Sequence, residues 1–88
     1  MEKSIHSAEY ALFLKTFREL RRRAGLTQAQ LARQVGESQS FVSKCERGER
    51  RIDLVELRMF CRALGISLKQ FIEAFEKAIK APPARRLT

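Results

Sequence analysis

Gln39, Ser40, Ser43, Lys44 and Arg47 fall on one side of a short segment at helical spacing, while Val42 and Cys45 fall on the other. Amide, hydroxyl, ammonium and guanidinium groups set out in this way form hydrogen bonds to a flat edge or a charged oxygen. A glutamine amide bonds bidentately to an adenine edge, a serine serves base or phosphate, and lysine or arginine reaches guanine or a sugar-phosphate chain. None of this makes or breaks a covalent bond. No serine or cysteine stands in motif form with a histidine, no glycine-rich phosphate loop occurs, and the single histidine, His6, lies near the amino terminus. Enzymatic activity is therefore not expected, and neither is a cofactor. Cys45, Cys61 and a distant His6 do not make the tetrahedral ligand set that a metal needs.

The elements that must hold this face are legible around it. The stretch from Thr27 to Gly48 divides into two short helices: one opens with Thr27 and closes on Gly36, the other opens with Ser38 and closes on Gly48. Each has a side-chain oxygen to accept its first amides and a glycine to reverse its end. Gln30, three residues after Thr27, completes a reciprocal capping box. Leu31, Ala32 and Val35 face inward from the first of the pair, and the small Ala32 lets the second cross closely.

The 88 residues suffice for one domain with a single modest core. Leu, Ala, Arg, Glu, Gln and Lys dominate, and 44% of residues are hydrophobic, so an all-α fold is expected. Eighteen Lys and Arg against ten Asp and Glu give a formal charge of +8, which suits a polyanionic partner. Basicity alone is weak support; the paired-helix spacing gives it a geometric companion. The two cysteines occupy core-facing helical positions and read as small buried apolar residues of a reducing compartment. No apolar run is long enough to span a membrane, and the amino terminus lacks the apolar segment of a secretory signal, so a cytoplasmic, nucleoid-associated location is expected.

A first helix is expected from about Ser7 to Gly25, with Phe13, Phe17, Leu20 and Ala24 in an apolar stripe flanked by Tyr10 and Leu14. Asp53 with Glu56, and Ile52 with Leu57, supply both devices of a helix start, and that helix buries Leu57, Phe60, Cys61 and Leu64 before Gly65. Ser67 with Gln70, and Ile66 with Phe71, repeat the pattern for a fifth helix bearing Leu68, Phe71, Ile72, Phe75 and Ile79. Pro82 and Pro83 stop it. The chain thus divides into a flexible amino terminus (1–6), a helical domain (7–81) and a basic disordered tail (82–88). Phe75 and Ile79 extend the apolar stripe beyond the evident core and are candidates for a homodimer surface.

The run GLTQAQLA from Gly25 to Ala32, Gly36, the run QSFVSKCERG from Gln39 to Gly48, Leu20 with Arg21, and Phe60 to Ile66 together resemble the Xre/Cro family of phage repressor-like domains. The resemblance implies five helices with a helix-turn-helix formed by the second and third, and binding to double-stranded DNA as a transcriptional regulator. It implies base contacts from Gln39, Ser40, Ser43 and Lys44, and backbone contacts from Thr27, Gln28, Ser38, Arg47, Arg50 and Arg51. It also implies an ion pair between Arg21 and Glu46; the alternative is that Glu46 is a surface partner of a neighbouring arginine. Phe41 either covers the edge of the first helix or touches a thymine methyl. A repressor dimer on a palindromic operator is the simplest working form, and an antitoxin or adaptor whose main partner is a protein is the alternative.

Overall fold

The computed structural model describes residues 2–81, with side chains from Ala8 onward, as five helices: α1 (Glu2–Arg23), α2 (Gln28–Val35), α3 (Gln39–Glu46), α4 (Leu54–Leu64) and α5 (Leu68–Lys80). The all-α architecture is the expected one. The first helix differs from expectation at its start: it begins at Glu2 rather than near Ser7, so residues 2–6 are helical backbone and not a separate lead segment. Neither proline nor glycine interrupts the first 24 residues, and serine is tolerated inside a helix, so nothing forces an end at Ser7. The tail at 82–88, with Arg85 and Arg86, lies outside the described residues, as does the side chain of His6.

Local chemistry sets the helix boundaries. Thr27, Asp53 and Ser67 each accept the amide of the residue three positions on, while Gln30, Glu56 and Gln70 reach back to the cap amides. Ser38 caps α3 alone, because the residue three positions on is Phe41, which has no acceptor to return. At the other ends Gly36 and Gly48 take φ of +75° and +80°. In both places the residue after the glycine sends its N–H back over the helix end, Glu37 to Ala32 O at 2.9 Å and Glu49 to Lys44 O at 2.9 Å. This is the Schellman closure, for which a left-handed residue is required.

The core is built from Phe17, Leu31, Ala32, Val42, Leu57, Phe60, Cys61, Leu64 and Phe71, all buried. Phe17 meets Phe60 edge-on at 5.0 Å, and Phe13 meets Phe71 at 5.5 Å and Phe75 at 5.9 Å, so aromatic rings tie α1 to both α4 and α5. Helix α2 packs on α3 and α4, and α1 packs on α5 and α3. Among the described residues, buried side-chain polar atoms are satisfied: the Thr16 hydroxyl, for example, donates to Leu12 O at 2.9 Å. No described helix is long and apolar enough to cross a membrane.

Candidate nucleic-acid interface

Helices α2 and α3 are joined by Gly36, Glu37 and Ser38, and the tight Gly36 reversal turns α3 across α2. Helix α3 buries Val42, Cys45 and Glu46. Its opposite side leaves Gln39, Ser40 and Lys44 exposed, and none of the three side chains has a hydrogen-bond partner among the described residues. Ser43 is half-buried beside them, its hydroxyl oxygen engaged by Arg47.

A buried charge network holds the far end of α3. Arg21 of α1 donates from Nε to Glu46 Oε2 at 2.7 Å and from Nη2 to Oε1 at 3.0 Å, with the two side chains only 9% and 2% exposed. A third N–H of the same guanidinium reaches Leu26 O at 2.8 Å, so one arginine joins α1, the loop before α2 and α3. Arg18 adds a bond to the backbone oxygen of Glu46 at 3.0 Å, closing a carbonyl that the helix end would leave open. Burial and bidentate geometry rule out the surface-partner alternative for Glu46.

Residues 13–71 match the helix-turn-helix domain family. An XRE-family like protein from Pseudomonas syringae pv. tomato str. DC3000 has a similar structure, with a TM-score of 0.79 and 41% identity over 91% of this chain and 95% of that one. The chain belongs to the Xre-type helix-turn-helix family. The HTH-type transcriptional regulator y4dJ of Sinorhizobium fredii (strain NBRC 101917 / NGR234) is 41% identical over 51 residues, which are 58% of this chain and 66% of that protein. This chain therefore spans just under two thirds of that relative's length. An Xre-type helix-turn-helix domain is a DNA-binding module of transcription regulation, and here the helix pair is α2 and α3.

In this Xre-type domain the residues expected at a phosphate backbone are in unequal states. Thr27 and Ser38 are exposed, their oxygens accepting cap amides while each hydroxyl hydrogen remains available to donate. Gln28 gives one amide hydrogen to Glu46 Oε1 at 2.9 Å and keeps the other. Arg47 pairs with Glu49 at 2.9 Å. Arg51 lies over the Tyr10 ring at 4.5 Å and carries no carboxylate partner among the described residues.

Arg50 is the most heavily engaged of the set. It binds both carboxylate oxygens of Glu56 at 3.0 and 2.8 Å, touches Arg51 O at 3.1 Å, and lies over the Phe41 ring at 4.6 Å. The carboxylate it holds also caps α4, and the Arg50 guanidinium, with the Asp53 backbone amide, keeps the Glu56 carboxyl below the usual carboxylate range. Arg50 therefore ties the loop after α3 to the start of α4.

Phe41 stacks on Phe60 of α4 at 6.2 Å and packs against the core. Sequence spacing carried no sign of this, since the ring's neighbours are Phe60 and Arg50. Both cysteines are buried thiols. Burial pushes Cys61 up to about 11, and it raises Cys45 as well, against the opposing pull of Arg50. They act as packing residues that stay protonated.

Phe75 and Ile79 are half-buried, and Phe75 packs against Phe13. The more exposed apolar side chains are elsewhere: Leu54 at 63%, Val55 at 77% and Ile72 at 44%. Phe75 thus closes the core on one side while lining, with Tyr10, Phe13, Ile52, Leu54 and Leu57, an open apolar groove.

Proposed function

We propose that the domain is a sequence-specific regulator, acting as a repressor, that places α3 in the major groove of double-stranded DNA. The observation that carries this reading is the division of α3 into two sides. Val42, Cys45 and Glu46 are locked into the protein, while Gln39, Ser40 and Lys44 stand exposed and without a hydrogen-bond partner among the described residues. Gln39, Ser40, Ser43 and Lys44 read base edges; Thr27, Gln28, Ser38, Arg47, Arg50 and Arg51 hold the backbone on either side. No covalent step is involved: occupancy of the operator is the activity.

One such helix covers only a few base pairs, so specificity calls for two copies on a palindrome whose half-sites lie about 34 Å apart. The exposed Leu54, Val55 and Ile72, with the groove beside Phe75 and with Ile79 further along α5, give the apolar surface for a homodimer. The same surface favours a second reading, an antitoxin or adaptor in which a different protein occupies it. In either case the working location is the cytoplasm, on the nucleoid.

Selection of bound duplexes from a random pool tests the reading, since it returns a preferred sequence, a half-site spacing and a symmetry together. Against the selected site, Gln39→Ala and Lys44→Ala should change which base is preferred, at about 1–3 kcal/mol per lost contact. Arg51→Ala should weaken all sequences alike and reduce the log–log salt slope by about one. Uniform losses from all three variants would reject the assignment of Gln39 and Lys44 to base reading.

A further inference from the structure

A shallow groove beside the carboxyl end of α3 is lined by Arg18, Gln28, Arg47 and Glu49, together with the already paired Glu46. Its donors outnumber its acceptors. Arg18 and Gln28 each spend one N–H on Glu46, at 3.0 and 2.9 Å, and keep others, because a guanidinium has five and an amide two. Such a groove has the chemistry of a phosphate seat. Arg47 does not face it freely: its Nε and Nη2 lie 2.9 and 3.2 Å from the two oxygens of Glu49, and its Nη1 is bonded to Ser43 Oγ.

We propose that Glu49 is a built-in competitor for the DNA phosphate: its carboxylate takes the fork of Arg47 in the free protein, and a duplex has to displace it. This rests on the reading of α3 as the duplex-facing helix. A carboxylate and a phosphate present the same pair of oxygens to a guanidinium, so the two exclude one another on Arg47. Arg47 holds the Glu49 carboxyl below the usual carboxylate range, and the competitor is charged at neutral pH. Both partners are about half exposed, which keeps the pair weak enough to open on contact with a polyanion. The bond from Arg47 Nη1 to Ser43 Oγ uses a different N–H and does not depend on Glu49. Glu49 thereby restrains binding to any duplex and lowers the background on which the selective contacts of α3 act.

The test is binding of random-sequence duplex across a salt series by the wild-type chain, E49Q, R47A and the double variant. E76Q serves as a control; it removes the same charge from α5, where Glu76 faces Lys80 at 4.0 Å and not Arg47. E49Q should bind about 3- to 10-fold more tightly at low salt, with a log–log salt slope steeper by about one phosphate contact. E76Q should gain far less, and the E49Q gain should shrink when Arg47 is alanine. A gain for E49Q no larger than that for E76Q, or one undiminished by R47A, overturns the proposal while leaving DNA binding intact. Failure of every variant to bind duplex removes the DNA reading and this proposal with it. Melting temperatures close to wild type confirm that E49Q is folded.

Discussion

Replacing Glu46 by alanine should destabilise the domain by roughly 3–5 kcal/mol, because Arg21 would remain buried with its charge uncompensated. The remaining partner of the guanidinium, Leu26 O, satisfies one N–H and offers no opposite charge. For a chain of this size a loss of that order lowers the melting temperature by about 15–30 °C and consumes a large part of a typical domain's stability. Urea denaturation of Glu46→Ala, Arg21→Ala and the double variant measures it. The double variant should be markedly more stable than the sum of the single losses predicts, since it removes both buried charges at once. A coupling below about 1 kcal/mol would class the pair with exposed ion pairs, contrary to its burial.

Phe60→Ala should have a comparable effect by a different route. The ring is fully buried, meets Phe17 edge-on at 5.0 Å and underlies Phe41 at 6.2 Å. Removing it leaves a cavity at the junction of α1, α3 and α4, and a phenylalanine truncated in such a place costs about 3–5 kcal/mol. The expected signature has a second part. Phe41 loses the surface it rests on, so α3 loses a support, and duplex affinity measured at low temperature, where the variant is folded, should fall more than the folded fraction accounts for. Affinity fully restored once the folded fraction is corrected for would show that Phe60 only stabilises and does not help to position α3.

Much of this fold can be read from short-range chemistry, and the limits of that reading follow from range. The boxes Thr27–Gln30, Asp53–Glu56 and Ser67–Gln70 each span three residues, and the helix starts they mark are found where expected. The buried set of α4, Leu57, Phe60, Cys61 and Leu64, is a periodic pattern and is equally legible. The start of α1 was not, because a serine able to cap a helix is equally able to sit inside one. The Arg21–Glu46 pair joins positions 25 apart, and spacing alone contains no trace of it; family resemblance supplied it. Beyond the reach of either were the pairings of Arg47 with Glu49 and of Arg50 with Glu56. A row of arginines looks uniformly available in a sequence. Which of them are already committed depends on how the loop after Gly48 folds back toward α1 and α4. Tyr10 illustrates the same point, since its hydroxyl accepts the Ile52 amide at 3.0 Å across 42 residues.

The two-sided character of α3 has a consequence for how such a domain can diversify. What fixes its pose, from Val42 and Cys45 to the Glu46 carboxylate, looks inward, and Gln39, Ser40 and Lys44 take no part in it. Under the proposed function, exchange of those three outward side chains re-addresses the molecule without disturbing its foundation. Over many generations a lineage could drift from one operator to another while its melting behaviour stays where it began.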